Sequence, residues 1–127
     1  MAKNVRIKVG IIEAIAELND TRTAKAIWEA LPIKGQGNLW GEEIYFSITL
    51  KLDLENGQEL VKAGDLGYWP SSRAFCIFFG PTPISRGNEI RPASAVTVFG
   101  RILGDTSIFE KVTSRVEIII ERSGGDR

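Results

Sequence analysis

Residues 64–85 read GDLGYWPSSRAFCIFFGPTPIS, the stretch in which aromatic residues, prolines and the single cysteine lie closest together. Its middle, residues 74–79, is apolar at every position, so both faces of a strand formed here are expected to be buried. Such a strand does not suit an open sheet edge. We therefore predict a central strand whose one face fills a barrel interior and whose other face is covered by a helix, with Phe75, Phe78 and Trp28 largely buried.

Alternation of apolar and polar residues predicts further strands on both sides of this stretch. The clearest segments are residues 4–9, 40–52, 96–102 and 116–121. Residues 10–18 fit either a helical stripe or the second strand of a hairpin, and Gly10 favours the strand. The chain is thus predicted to be mainly β.

Glycine-containing segments predict the turns between these strands. The sequence GQGN at residues 35–38 is interpreted as a flexible connection, and residues 64–67 as a turn. Asn56-Gly57 predicts a hairpin with paired strands on either side, because both residues accept the positive φ angles of a tight turn. Trp69-Pro70 is expected to be trans, as most bonds before proline are.

One main α-helix is predicted over residues 21–31, where apolar residues recur at helical spacing. Asp20 or Thr21 would cap its start, Pro32 would end it, and Trp28 is interpreted as a packing residue. A short helical turn is predicted near residues 107–112, with Ser107 and Glu110 at the spacing of a capping box.

The composition fits an ordinary single domain. Of 127 residues, 43% are hydrophobic and 25% charged, as in soluble globular domains. A chain of this length can bury a hydrophobic core without disulfides. We predict one domain over residues 1–122 and a frayed tail over 123–127. Sixteen basic and sixteen acidic residues are interspersed, and this pattern does not favour nucleic acid as a partner.

The chain has no histidine, which excludes Ser-His and Cys-His nucleophiles and histidine-based zinc sites. The single cysteine, Cys76, lies between apolar residues and is interpreted as an inert core thiol. No cluster of ligating residues has metal-like spacing, so no metal or organic cofactor is expected. Neither a signal peptide nor a membrane span is apparent, and we expect a cytoplasmic protein without a membrane partner.

Five motifs together resemble a small bacterial and archaeal family described as cyclophilin-like and of unknown function. They are TRTAKAIWEALP, WGEEIYF, GDLGYWP, CIFFGPTPIS and IRPASAV, and they span roughly residues 18–102. The resemblance implies a closed, mostly antiparallel β-barrel with one main helix packed on it. This is the fold class that the strand pattern predicts as well.

The resemblance does not imply a conventional prolyl isomerase. True cyclophilins use a strand arginine with nearby glutamine and histidine side chains, whereas this chain has no histidine and no arginine in WGEEIYF. By analogy of fold, Glu43 and Tyr45 would lie where that strand passes. One scaffold also hosts unrelated functions, so the barrel alone does not identify the activity.

Aromatic residues with polar tips beside rigid Gly-Pro loops favour a binding module for a small molecule or an extended peptide. For Glu43 and Tyr45 the first interpretation is a solvated polar pair, and ligand binding is the alternative. Arg91 is chosen among the arginines because it lies within IRPASAV. The candidate ligand-binding residues are Trp40, Glu43, Tyr45, Tyr68, Trp69, Thr82 and Arg91.

Two other functions stay open. One is an enzyme acting on amides or prolyl peptides, with Arg91 as electrophile and Glu43 or Asp65 as acid or base, although its catalytic residues are not identified by any motif. The other is a structural or interaction subunit, in which the aromatic residues form a homodimer or partner interface.

Overall fold

Eight strands and one α-helix make up the computed structural model, which describes residues 3–123. The strands are β1 (Lys3–Val9), β2 (Ile12–Leu18), β3 (Ile33–Leu39), β4 (Glu43–Ser47), β5 (Asp65–Trp69), β6 (Ala74–Phe78), β7 (Thr97–Leu103) and β8 (Val116–Arg122), and the helix is α1 (Arg22–Ala30). Every strand pairing is antiparallel, and the order β1-β2-β7-β5-β6-β4-β3-β8 closes into a barrel through β8 and β1. The predicted fold class is confirmed.

Strand β6 is buried along its whole length, as its apolar sequence predicts. Its inward face carries Phe75, which stacks on Phe46 with ring centroids 5.4 Å apart and meets Phe99 edge-on at 5.0 Å. Such aromatic pairs contribute about 0.5–1.5 kcal/mol beyond their buried area. They form the centre of the barrel interior.

The outward face of β6 is covered by loops and not by the helix, which corrects the expectation from sequence. Ala74, Cys76 and Phe78 pack there against Val61, Ile90 and Val96. Isolated bridges between Gln58 and Val96 and between Val61 and Ile90 hold the two covering segments together. These segments are the long connections from β4 to β5 and from β6 to β7.

Helix α1 instead adds its apolar stripe to the interior cluster through Ala24 and Ile27. Thr21 caps it, its hydroxyl accepting from the Ala24 amide at 3.0 Å. Trp28 is half-buried and not largely buried, because it packs against the margin of the interior cluster. The guanidinium of Arg122 lies over its ring, 4.4 Å from the ring centroid. Trp28 is a packing residue that keeps one edge in solvent.

The hairpin predicted at Asn56-Gly57 is wrong. Asn56 does adopt a positive φ of 48°, but no strand flanks it on either side. Glu55, just before the turn, accepts from the backbone amides of Arg22 and Thr23, each at 3.0 Å, at the start of α1. The segment therefore serves the helix terminus, whose amides lack partners within the helix.

The segment predicted to be flexible, residues 35–38, lies within β3. Its two glycines, Gly35 and Gly37, leave room for interior side chains, since a Cβ on either would lie 2.4 Å from Phe46 or Ile118 respectively. Glycine in a strand can mark close approach of a neighbour as well as flexibility. Here the close approach explains both positions.

Three element boundaries also differ from the prediction. The strand predicted over residues 40–52 is confined to β4, and the turn predicted at residues 64–67 contains the start of β5. A 3-10 turn covers Thr106–Lys111, but Asp105 and not Ser107 caps it, its carboxylate accepting from the Ser107 amide at 2.9 Å. Asp105 lies two residues before Ser107, so the 3-10 turn begins earlier in the chain than the capping-box spacing indicates.

The ends of the chain give little further detail. The amide of Ser123 donates to the Asn4 carbonyl at 3.0 Å, and the rest of the predicted tail, residues 124–127, lies outside the described residues.

The bond before Pro70 is trans as expected, and that before Pro32 is cis. Among residues 3–123, no helix has the length and apolar character needed to cross a membrane.

Candidate functional site

A concave site of about 320 Å³ lies on the outside of the barrel, where β4, β6 and β5 run side by side. We call it the outer pocket. Four of the residues proposed from sequence line it, namely Trp40, Glu43, Tyr45 and Trp69. Cys76 from β6 and the segment Pro92, Ala93 and Val96 complete most of the lining.

Strand alternation explains why these side chains meet. Glu43 and Tyr45 are two residues apart in β4, so both point outward from the barrel. Tyr45 pairs with Cys76 in β6, and Cys76 pairs with Gly67 in β5. Gly67 has no side chain, and the side chains of Phe78 and Val96 lie where its Cβ would be, each 3.0 Å away.

The tight turn between β3 and β4 places Trp40 across from Glu43. The Trp40 amide donates to the Glu43 carbonyl at 2.9 Å, and the Glu43 amide donates to the Trp40 carbonyl at 3.2 Å. Gly41 has a φ of +61°, as the first central residue of a type II′ turn requires. The turn thereby fixes one edge of the outer pocket.

Glu43 is buried, which corrects its interpretation as a solvated surface residue. Only 5% of it is exposed, and its Oε1 atom has no hydrogen-bond partner. Burial raises the pKa of the carboxyl group from 4.5 to about 7, and the neighbouring Cys76 thiol opposes part of that rise. An unpartnered carboxyl group of this kind is costly to bury and is a feature of functional sites.

Cys76 is buried, as expected from its apolar neighbours. Burial raises the pKa of its thiol well above the ordinary value, and the charge of Glu43 raises it further. The thiol is therefore a neutral part of the pocket lining at neutral pH. This agrees with the interpretation of an unreactive cysteine.

Trp69 forms the opposite wall. Its indole Nε1 donates to the hydroxyl of Ser94 at 2.6 Å, which ties β5 to the segment that carries Pro92 and Ala93. Trp69, Trp40 and Tyr45 are all half-buried, with part of each side chain facing solvent. Half-buried aromatic residues of this kind suit ligand contact, since an apolar face is available without a refolding step.

Three predicted residues lie elsewhere. Tyr68 is fully buried in the barrel interior, where its hydroxyl donates to the Leu50 carbonyl at 2.7 Å and accepts from the Leu52 amide at 3.1 Å. The Thr82 hydroxyl is buried and donates to the carbonyl of Arg91. The Arg91 side chain pairs with Glu89 at 2.9 Å and lines a separate concavity.

Asp65, the other proposed acid or base, is also outside the outer pocket. Its carboxylate accepts from the Lys62 amide at 2.9 Å, and it lies in a concavity beside Arg101. The residues considered for amide chemistry, Arg91, Asp65 and Glu43, therefore do not share one pocket. Of these, only Glu43 contributes to the outer pocket.

Replacing Tyr68 by Phe is expected to destabilise the protein by about 1–2 kcal/mol, because the Leu50 carbonyl and Leu52 amide lose their shared partner. Urea unfolding measures this cost. Tyr45→Phe is the matched control and should change stability by less than about 0.5 kcal/mol, since Tyr45 is half-exposed. Equal costs for the two variants would contradict the interior role of Tyr68.

Sequence reasoning missed part of the pocket lining. Pro92, Ala93 and Val96 follow Arg91 in the IRPASAV motif, but Arg91 is the one residue of this motif that is predicted to bind a ligand. Cys76 was assigned to the core, although period-two alternation does place it on the face opposite Phe75. That alternation was the available signal, but it does not tell which strands lie on either side of β6.

A family model described as cyclophilin-like matches residues 3–121. Among solved structures, the solution structure of a hypothetical protein from Archaeoglobus fulgidus is 40% identical in sequence, with a TM-score of 0.82. That alignment covers 96% of this chain and 95% of the archaeal chain. A comparison with curated proteins gives no match.

The TM-score shows that the archaeal structure shares the fold of this chain. The match extends over almost the whole of the described chain, so it concerns the complete barrel and not one motif. The chain belongs to the cyclophilin-like family.

Proposed function

We propose that this protein binds a small organic molecule in the outer pocket. The observation that carries the proposal is the buried carboxyl group of Glu43, whose Oε1 has no partner although it lines a concavity walled by aromatic side chains. Buried polar groups in folded proteins are nearly always hydrogen-bonded. A ligand with a hydrogen-bond donor would supply the missing partner.

The size and the lining of the pocket support a small ligand. About 320 Å³ lies at the lower end of the range for ligand sites in proteins. Trp40, Tyr45 and Trp69 offer apolar faces, and Glu43 is the charged or acidic group among the lining residues. We therefore propose a ligand with an apolar body and at least one donor group.

The walls of the pocket are held before any ligand arrives. Trp40 is fixed by the turn to Glu43, and Trp69 is fixed by its hydrogen bond to Ser94. A pocket that is already formed loses less conformational entropy on binding than one that must be ordered. This favours binding of small ligands with few contacts.

A fragment screen by NMR on the ¹⁵N-labelled protein tests the proposal. The chain has three tryptophans, and two of them, Trp40 and Trp69, line the outer pocket while Trp28 lies against Arg122. Binding is expected to shift the indole N–H signals of Trp40 and Trp69 and to leave that of Trp28 in place. Trp28 is thus an internal control within the same sample.

The matched variant is Trp69→Ala, which removes one wall of the outer pocket. It is expected to lower the affinity for any such fragment about tenfold or more. Its folding is checked by urea unfolding. A screen in which no fragment shifts Trp40 and Trp69, or in which all three indole signals shift together, would argue against a binding role for this pocket.

A further inference from the structure

We infer that the ligand of the outer pocket is an organic amine in its protonated form, held by the carboxylate of Glu43 and by the faces of the surrounding aromatic rings. This inference rests on the proposed function and names the chemical class of its ligand. It is drawn from three observations: the charge of the lining, the identity of the aromatic residues and the unpartnered carboxyl oxygen.

The lining contains an acid and no base. Glu43 is buried, and neither lysine nor arginine is among the described residues that line the pocket. The titratable groups that adjoin Glu43 in the lining or in sequence are the Cys76 thiol from β6, the Tyr45 phenol from β4 and the carboxyl of Glu42 in the adjoining turn. None of these is a cation, so the carboxylate of Glu43 has no counter-charge from the protein.

Two basic residues adjoin the lining in sequence. Arg73 follows Ser72 and is exposed to solvent. Arg91 precedes Pro92, but its guanidinium contacts the Glu89 carboxylate at 2.9 Å and lines a different concavity. Pairing with Glu89 also raises the pKa of Arg91. Arg91 is therefore not available to neutralise Glu43.

Aromatic rings around a carboxylate suit a cation. Trp40, Tyr45 and Trp69 each offer a negative π face, and tryptophan is the strongest partner for a cation among the aromatic residues. A desolvated cation over such a face contributes on the order of 2 kcal/mol. A neutral donor of equal shape gains no comparable attraction.

The unpartnered oxygen distinguishes an ammonium with N–H groups from one without them. A primary or secondary ammonium donates a charge-assisted hydrogen bond to the Glu43 carboxylate, which is about twice as strong as a neutral one. A fully substituted ammonium has no proton to donate and would leave the oxygen unpartnered. We therefore assign the ligand to amines that retain N–H.

Binding of such an amine is expected to release a proton. At pH 7 the Glu43 carboxyl is about half protonated, and a bound cation favours its ionised form. About half a proton should therefore leave per amine bound at that pH. Binding of a neutral ligand does not require Glu43 to lose its proton.

Cyclohexylamine and cyclohexanol are the matched probes, because they share shape and donor ability and differ in charge. At about pH 8, cyclohexylamine is expected to bind at least about tenfold more tightly than cyclohexanol. Titration followed by the Trp40 and Trp69 indole signals reports the site. Calorimetry at pH 7, in buffers of different ionisation enthalpy, counts the released protons.

The variant Glu43→Gln keeps the side-chain shape and removes the charge. It is expected to lose most of the preference for the amine, keeping at most the part that the aromatic faces supply, and to release no proton with either probe. At about pH 5.5 the wild-type protein should likewise lose most of its preference for the amine, since Glu43 is then protonated. Urea unfolding verifies that the variant is folded.

The outcomes separate this inference from the proposed function. Equal binding of the two probes to the wild-type protein, or a preference for the amine that is as large in Glu43→Gln as in the wild-type protein, would overturn the inference. Binding of other fragments but of neither probe would also overturn it. If no fragment of any class binds, the proposed function itself fails.

The same ammonium chemistry is offered by a free amine and by a lysine side chain. Nα-Acetyl-lysine-N-methylamide is therefore titrated as a third probe under the same conditions. Tighter binding of cyclohexylamine assigns a compact free amine, and tighter binding of the lysine derivative assigns a peptide side chain. Either result supports a cation, and the tighter binding must weaken about tenfold or more in Glu43→Gln.

Discussion

The free energy of unfolding of the wild-type protein is expected to fall by about 3 kcal/mol, relative to Glu43→Gln, as the pH rises from 4.5 to above 7. The cause is the burial of Glu43, which raises the pKa of its carboxyl group from 4.5 to about 7. Since one pKa unit corresponds to about 1.4 kcal/mol, the rise corresponds to a little over 3 kcal/mol.

The sign follows from the protonation of the two states. Between pH 4.5 and about 7 the folded protein holds a proton on Glu43 that the unfolded chain has lost. Stability therefore decreases as the pH rises through this window and becomes constant above it. The contribution is fully present below pH 4.5, where Glu43 is protonated in both states.

The other carboxyl groups with shifted pKa values change the stability outside the range of pH 4.5 to 7, or affect the wild-type protein and Glu43→Gln equally. The carboxylates of Glu55, Glu89, Asp105 and Glu121 have lowered pKa values because they accept hydrogen bonds, so their stabilisation is lost only in acid. Half-burial raises the pKa of Asp65, but Asp65 is present in both proteins. The difference between the two pH profiles isolates Glu43.

Urea unfolding of both proteins across this pH range provides the measurement, with the slope of each transition used to check that the folded states are equally compact. Glu43→Gln should be the more stable protein at about pH 8, even though it removes a group from the outer pocket. Parallel pH profiles for the two proteins would contradict the raised pKa and remove the main support for a proton release on binding.

The burial of Glu43 shows why part of the outer pocket is hard to find from the sequence. Period-two alternation correctly identifies β6 as buried and puts Glu43 and Tyr45 on one face of β4. The same rule assigns an outward-facing glutamate to solvent, because it describes each strand alone. The loops that cover β6 from outside decide the burial of Glu43, and their path is a tertiary property.

Tyr68 and Trp69 show the same limit at the level of single residues. The two are adjacent in β5, so their side chains point to opposite faces, one into the barrel and one into the outer pocket. The sequence predicts that they differ but does not tell which one faces inward. Because residues 64–67 are predicted as a turn, the start of β5 is not recognised from the sequence. The register of β5 would tell which of the two side chains faces the barrel interior.

Glycine was the other source of error, and the reason is physical. At Gly35 and Gly37 the residue is required by the close approach of Phe46 and Ile118, and at Asn56-Gly57 a true positive φ occurs without a hairpin. A glycine is found both where the backbone needs a positive φ and where a close neighbour leaves no room for a side chain, and the sequence is the same in the two cases. Only the neighbours in space distinguish the two causes.

Two glycines with a similar positive φ allow these causes to be separated by experiment. Gly41 has a φ of +61° and Gly87 a φ of +60°, so alanine at either position is strained, by about 1–3 kcal/mol. A Cβ at Gly87 would have no atom within 4 Å. A Cβ at Gly41 would lie 2.9 Å from the Pro81 carbonyl oxygen and 2.8 Å from a ring carbon of Pro83.

Gly41→Ala is therefore expected to cost about 3 kcal/mol and Gly87→Ala about 1 kcal/mol, the excess being the cost of overpacking against a rigid Gly-Pro loop. The obstructing atoms belong to backbone and proline ring, which have no rotamer that moves them aside. The free energies of unfolding in urea measure both costs, and the wild-type protein serves as the reference.

The two variants should also differ in ligand binding, because Gly41 lies in the turn that joins Trp40 to Glu43. Displacing that turn moves one wall of the outer pocket together with its carboxyl group, so Gly41→Ala is expected to weaken fragment binding several-fold while Gly87→Ala leaves it unchanged. Equal losses of stability would mean that strain alone acts at both positions. Unchanged binding in a folded Gly41→Ala protein would mean that the turn does not position the pocket.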